Sequence, residues 1–343
     1  MKYATELHGR TAPRRRALPA FAAAFLLSAA STTLAQDNVL TALDIARLRS
    51  VTFVQMHPEN NMIAAAAYTL SVPRRPFVDD DGPPWSELHI ITPGGESRPF
   101  ITGHVNVSDI KWTPDGQSIS LRAKRGDDKE TSMYVIDLLG GEARKILEHD
   151  TGIGAYAWSP DGTQVAFLAT EKEPKDKKER QDKGFKAHVY EEGLRPVKVW
   201  LAAPQPARDS FSNDEPPKPK ALDLPGSATD VQYSPTGQHL AVALAPTPLI
   251  DDEYMKQKLH VVDVATGKVV ATLDTVGKLG AFRWSPDGRH IAFIGAADLH
   301  DPAEGRLMIG GVEGGAVRDV LPNHPGHVTS IAWQDDDTVM YLV

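Results

Sequence analysis

Glu191 and Glu192, in the run "HVYEEG", are the residues whose types and spacing most directly suggest chemistry. Two adjacent carboxylates set in a cleft can grip an ammonium group through charge-assisted hydrogen bonds. Set in an open turn, the same pair is a solvated acidic surface. His324 and His327, in "HPGH", put two imidazoles three residues apart, a spacing that metal sites use. Pro325 and Gly326 between them describe a loop, and no third ligand is evident. The runs Asp79–Asp81 and Asp335–Asp337 could attract a hard cation, but neither has the spaced oxygens and glycine of a calcium loop. Ser159, Ser234 and Ser285 all stand in turns. None lies in the Gly-x-Ser-x-Gly context between strand and helix that a hydrolase nucleophile needs. No catalytic residue, resident metal or cofactor is therefore expected.

The elements that must carry these residues repeat. Aligned on one turn, the chain reads "KWTPDGQSISLRA" from Lys111, "AWSPDGTQVAFLA" from Ala157, "QYSPTGQHLAVAL" from Gln232 and "RWSPDGRHIAFIG" from Arg283. "AWQDDDTVMYLV" from Ala332 keeps the aromatic, and "QMHPENNMIAAAA" from Gln55 is a decayed first copy with Met56 in the aromatic position. The anchors Met56, Trp112, Trp158, Tyr233, Trp284 and Trp333 are 56, 46, 75, 51 and 49 residues apart. Proline presets the dihedral of the second position of a type I turn, serine or threonine bonds back to the backbone from the first, and glycine suits the fourth. Each turn thus joins two strands, and the strand after it is apolar on both faces, as a strand sandwiched between neighbours must be. Farther on, "ELHIITPGGESRPFI", "SMYVIDLLGGEARKIL", "KLHVVDVATGKVVATL" and "RLMIGGVEGGAVRDVL" each read strand, glycine turn, strand.

Four strands per repeat of about 50 residues predict an all-β protein, a β-propeller with about six recognisable four-stranded blades. The last blade is incomplete: Val343 directly follows its second strand. Either the chain is part of something longer, or Val39–Val54 completes that blade. The tryptophans, at fixed blade positions, are expected to pack the core rather than bind ligands. The 75-residue interval contains two insertions: residues 171–183, almost wholly charged, and residues 204–219, proline-rich and polar. The propeller is expected over residues 36–343.

Residues 1–35 read as a signal peptide. Arg14, Arg15 and Arg16 precede the uncharged run Ala17–Ala30, and small residues then lead to cleavage after about Ala35. The apolar run is shorter than the ~20 residues of a spanning helix. Its removal takes five basic and one acidic residue from the 37 and 45 of the full chain, leaving a net charge of −12. So acidic a surface argues against nucleic acid as a partner. There is no cysteine, which excludes disulfides, thiolate metal sites and cysteine nucleophiles. The expected location is the periplasm or the extracellular medium, with no membrane association after cleavage.

The W/Y-[ST]-P-[DT]-G turns, the signal peptide and the segment "VYEEGLRPVKVWL" together resemble the N-terminal propeller of secreted bacterial serine peptidases of the prolyl oligopeptidase family, in the acylaminoacyl- and dipeptidyl-peptidase branches. The resemblance covers roughly Leu40 to Val343. It implies a propeller of seven or eight blades that caps an α/β-hydrolase domain and filters peptide substrates by size. It also implies that Glu191 and Glu192 hold the free amino terminus of a substrate. The hydrolase domain and its Ser–Asp–His triad are absent from this sequence, so this chain alone is expected to be inactive. The same turns are similar to those of TolB-like periplasmic propellers. That alternative implies a protein-interaction scaffold with envelope proteins as partners.

Overall fold

In the computed structural model the described residues are 40–343, except 60–61, 76–77, 188, 206–217 and 301–304. The expected signal peptide, 1–35, and most of the proline-rich insertion lie outside them. The chain divides into two compact units, Met1–Ile45 and Ala46–Val343. Of the first, residues 40–45 are described. Thr41 there starts a short helix, α1 (Ala42–Ala46), by a reciprocal cap: its hydroxyl accepts the Asp44 N–H at 3.1 Å, and the Asp44 carboxylate accepts the Thr41 N–H at 2.9 Å.

The second unit is a β-propeller built of antiparallel sheets in chain order. The first sheet comprises β1 (Ser50–Met56), β2 (Ala66–Val72), β3 (Trp85–Ile91) and β4 (Ser97–Ile101). The second has β5 (Ser108–Trp112), β6 (Ser118–Ala123), β7 (Ser132–Asp137) and β8 (Arg144–Leu147). The third has β9 (Tyr156–Trp158), β10 (Val165–Thr170), β11 (Val197–Ala202) and β12 (Lys220–Ala221). The fourth has β13 (Ser227–Tyr233), β14 (His239–Ala245), β15 (Lys258–Asp263) and β16 (Lys268–Leu273). The fifth has β17 (Leu279–Trp284), β18 (His290–Gly295), β19 (Arg306–Gly311) and β20 (Arg318–Asp319). Two strands, β21 (Ser330–Trp333) and β22 (Val339–Leu342), form the sixth among the described residues. Ser50–Met56 pairs with β2 in the first sheet and does not complete the sixth.

Burial explains why the strand after each turn is apolar throughout. On β10, Val165, Phe167 and Ala169 pack with Met133 and Ile146 of the second sheet, while Ala166 and Leu168 pack with Leu240 and Val242 of the fourth. On β14, Ala241 and Ala243 face the opposite way, toward Phe282 and Phe293 of the fifth. Each middle strand therefore contributes to two hydrophobic layers, and the alternation of the strand sorts side chains between them. The outer faces of the series differ. Val51, Phe53, Val54 and Met56 on β1, and Met340, Tyr341 and Leu342 on β22, are exposed.

The charged insertion is solvated, as its composition requires, and it folds into a helix, α2 (Lys175–Asp182), with no buried residue. A single helical turn of charge balance helps it: Lys177 pairs with Glu173 at 2.9 Å.

Candidate functional site

The repeated turns place their serines where they cannot act as nucleophiles. Ser159 and Ser285 donate from their hydroxyls to Asp161 and Asp287, both at 2.6 Å, and accept the N–H groups of Gln164 and His290 at 2.9 Å. Thr113 does the same with Asp115 and Ser118. The hydrogen bonds from these serines hold the Asp161 and Asp287 carboxyls below the usual range. Gly162 and Gly288 sit at φ of 71°, so a side chain there would be strained.

The strands that precede the turns form the hub. β9 meets β13, and β17 meets β21, so first strands lie against first strands. Trp112, Trp158, Tyr233 and Trp333 each reach back to the preceding sheet, whereas the Trp284 Nε1 is buried without a hydrogen-bond partner. The indole N–H of Trp112 donates to the Met56 carbonyl at 2.9 Å, that of Trp333 to the Arg283 carbonyl at 3.0 Å, and that of Trp158 to the Ser120 hydroxyl at 2.9 Å. The Tyr233 hydroxyl reaches Gln164 at 2.6 Å. The residue before the aromatic reaches forward: Lys111 donates to the Tyr156 carbonyl, and Gln232 to the Phe282 carbonyl at 3.0 Å. The tryptophans are thus core residues, as their spacing predicted, and they are also donors between blades, which packing arguments alone do not reveal. In the decayed first copy His57 takes the place of the turn serine. Its ring lies tilted against Trp112, centroids 4.5 Å apart, and bonds the Gly116 carbonyl at 2.9 Å.

A group of charges lies three residues before the aromatic on two first strands. Asp109 on β5 pairs with Lys111 at 2.9 Å and with Arg122 at 3.4 Å. Arg122 also donates to the Ile153 carbonyl at 3.1 Å, and the Tyr156 hydroxyl donates to the Asp109 carbonyl at 2.8 Å. Asp230 on β13 occupies the equivalent place. Although a whole sheet separates β5 from β13, Asp230 feels the charges of both Lys111 and Asp109. Burial is the main influence on the Asp230 carboxyl and pushes it above the usual range. These residues were missed by motif reading. The signal was available: "SDIKW" and "TDVQY" carry an acid where "GAYAW" and "GAFRW" carry alanine.

At the outer edge of the second and third sheets is a cavity of about 1110 Å³. Lys145 lines it between Asp128 at 2.5 Å and Glu148 at 2.9 Å, and the Tyr134 hydroxyl donates to Asp128. Burial opposes ionisation of Asp128, but hydrogen bonds from Lys145 and Tyr134 bring its carboxyl below the usual range. Tyr134 is pushed up to about 12 by burial and by Asp128. His149 and Trp200 supply the aromatic part of the wall, 4.5 Å apart, and burial lowers the His149 imidazole. Across the cavity Lys172 pairs with Asp150 at 2.6 Å.

Of the residues singled out in the sequence, Glu191 and Glu192 lie in an exposed turn beside Tyr190, itself 82 % exposed. Glu191 has φ of 60°, in the left-handed region. The Glu191 charge, then a hydrogen bond from Tyr190 to it, pushes the Tyr190 hydroxyl up. His324 accepts the Gly326 N–H at 3.3 Å and meets Tyr341 edge-on at 5.9 Å. Asp79 accepts the Arg75 N–H at 2.7 Å, and Asp335 the Asp337 N–H at 3.0 Å, so both closing acids shape their own loops. Among the described residues no three His, Asp or Glu side chains are grouped to hold a metal. No helix among them is long and apolar enough to cross a membrane.

No protein-family description matches the sequence, and no curated protein matches it. Among solved structures the chain is similar to TolB from Acinetobacter baumannii, with a TM-score of 0.46 and 17% identity over 68% of this chain. It spans about half of that protein's length, 48%. It is also similar to a putative TolB from Agrobacterium tumefaciens, with a TM-score of 0.46 and 15% identity over 76% of this chain and 78% of the other.

Proposed function

We propose that this chain is an exported β-propeller that serves as a protein-interaction scaffold in the cell envelope, in the manner of a TolB-like periplasmic propeller. The observation that carries the reading is the cavity between the second and third sheets. At about 1110 Å³ it is at or above the upper end of small-molecule sites, and its walls alternate charges of both signs around Trp200 and His149. Such a surface suits a segment of polypeptide, whose charged side chains find partners on either wall and whose apolar ones find an aromatic face. The turn serines support a non-catalytic role, since their hydroxyls are committed to Asp161 and Asp287.

The test is site-specific photo-crosslinking in the exporting cell. A crosslinker at Lys172, on the cavity wall, is expected to give a discrete protein adduct that Trp200→Ala abolishes. One at Thr266, in a turn of the fourth sheet, is expected to give none. Equal adducts from both positions, or none from either, overturn the scaffold reading. The same preparation, assayed on acyl-peptide and dipeptidyl chromogenic substrates, is expected to show no hydrolysis.

A second reading, the substrate-gating part of a peptidase of the prolyl oligopeptidase family, draws on Glu191. A glutamate held at φ of 60° in an exposed turn stores strain of the sort found at binding sites. It expects peptides with free amino termini to bind, and Glu191→Gln with Glu192→Gln to remove that binding. Hydrolysis blocked by a serine-directed inhibitor would decide for this reading.

A further inference from the structure

Two residues past the turn glycine, the four aligned repeats carry Ser118, Gln164, His239 and His290. In the third sheet this position meets the anchor aromatic of the sheet that follows: Gln164 accepts the Tyr233 hydroxyl at 2.6 Å, and Tyr233 is 9% exposed. Ser118, in the second sheet, is the shortest of the four side chains. Its hydroxyl makes no hydrogen bond among the described residues, and its bonds to Thr113 are made by its main chain. The aromatic of the sheet that follows, Trp158, is left half-buried. Its indole N–H bonds Ser120 instead, the next residue on the same face of β6.

Beside Ser118 and Trp158 lies a second cavity, of about 440 Å³. Pro114, Val135, Ile146 and Pro204 complete its apolar wall. Its acids are already occupied. Asp115 accepts the Thr113 hydroxyl and the Gln117 N–H, and Asp161 accepts the Ser159 hydroxyl and the Thr163 N–H. Arg144, also on the wall, donates to the Gln205 carbonyl at 3.0 Å. A charged group entering this space gives up its water without a carboxylate left over to receive it, whereas a neutral apolar group gains by leaving water. The cavity falls within the range of roughly 300–1,000 Å³ that ligand pockets occupy. Ile146 and Gln205 line both this cavity and the larger one, so one occupant can extend from the first into the second.

We propose that the smaller cavity is an anchor subsite for an uncharged aromatic side chain, carried by the same polypeptide segment that occupies the larger cavity. The inference rests on the scaffold reading and adds a sequence requirement to it: an aromatic residue a short way along the segment from its charged ones. A ring buries a large apolar area for two rotations lost, and it packs offset or edge-on against an indole such as Trp158. It takes the space beside Ser118 that a longer side chain, as in the other three repeats, would reach into.

The probe is N-acetyl-L-phenylalaninamide, followed through the Trp158 indole N–H signal by NMR on the full chain. It is expected to shift that signal saturably, and N-acetyl-L-alaninamide and N-acetyl-L-lysinamide are not. Ser118→Gln gives the second sheet the residue that the third carries at the same place. It breaks no hydrogen bond of the Ser118 side chain, and it should weaken the phenylalanine probe roughly tenfold or more. It should also reduce the crosslinked adduct at Lys172. Equal binding of the three probes, no binding of the phenylalanine probe, or its retention by Ser118→Gln overturns the proposal. So does a Lys172 adduct that Ser118→Gln leaves unchanged, and the scaffold reading then stands without this anchor. Absence of any adduct in the unaltered chain, with the phenylalanine probe still bound at Trp158, sinks the scaffold reading and keeps the aromatic subsite. The comparison of the three probes needs no variant, so a failure of Ser118→Gln to fold does not shield the proposal.

Discussion

The first strands of the second and fourth sheets share one backbone plan and differ in what they do with charge. In both, the register with the next strand slips at an aspartate that stands three residues before an aromatic reaching back to the preceding sheet. For Trp112 that reach ends on a main-chain carbonyl. In the second sheet the acid is paired with Lys111 and Arg122, and these two cations also bond the backbone carbonyls of Tyr156 and Ile153. In the fourth the acid has no ion pair among the described residues; burial raises its carboxyl, against the Val231 N–H, the more distant Lys111 charge and Gln232. The difference teaches that the repeat specifies geometry, while single side chains at fixed places in it decide whether a hub position holds an ion pair or not.

The sharpest way to break the contrast is to remove a clamp. Arg122→Ala strips Asp109 of one cation and leaves the Ile153 carbonyl without its donor. It is expected to cost about 3 kcal/mol in urea unfolding at pH 7. Asp230→Asn should do the reverse and gain up to about 1 kcal/mol. A carboxyl raised by folding contributes stability below its unfolded value and loses it as pH rises through the folded value. The gain from Asp230→Asn should therefore be full above the folded value and vanish below about pH 4. If both variants lose stability alike, the two aspartates are equivalent and the contrast is gone.

A smaller effect separates two tryptophans of nearly equal burial, Trp112 at 7% exposure and Trp284 at 8%. The Trp112 indole has the Met56 carbonyl, whereas the Trp284 Nε1 is buried without a hydrogen-bond partner. Trp112→Phe should cost about 1 kcal/mol more than Trp284→Phe, because only the first gives up a bond. Equal losses by calorimetry would assign the anchors to packing alone.

The smallest effect concerns His149, which follows the second sheet, and His260 on β15 of the fourth. Burial is the main cause that lowers both imidazoles. Because folding lowers them, the unfolded chain binds more protons, and the stability they contribute is full above their ordinary value and lost as pH falls through the folded one. Both should titrate by NMR below about 6.5. A value at or above that for either removes it from the buried class.

Much of this was legible in the sequence for a local reason. A Ser-Pro-Asp-Gly turn specifies itself, through Ser159 on Asp161 and Gly162 at positive φ, so four near-identical turns disclose a repeated hairpin without any knowledge of its neighbours. The doubly apolar β10 and β14 likewise announce a layer on each side. The charged insertion was legible as solvated but not as a helix, since α2 has no apolar face from which a period could be read. Candidate sites were less legible. Glu191 and Glu192 drew notice as a pair and stand in an open turn. His149 and Trp200 lie 4.5 Å apart only because two sheets stack, and no local pattern records that. Asp109 and Asp230 sit between, readable once the repeats are aligned column by column.

The bonds that cross from sheet to sheet near the hub have a kinetic consequence. Among the described residues, two aligned ties join the second sheet to the third, the forward one from Lys111 and the backward one from Trp158. The fourth is joined to the fifth by the forward tie from Gln232, with Trp284 giving none in return. A stack coupled only through nearest neighbours opens at its weakest seam. Amide protons of β13 and β17 should thus exchange with solvent before those of β5 and β9.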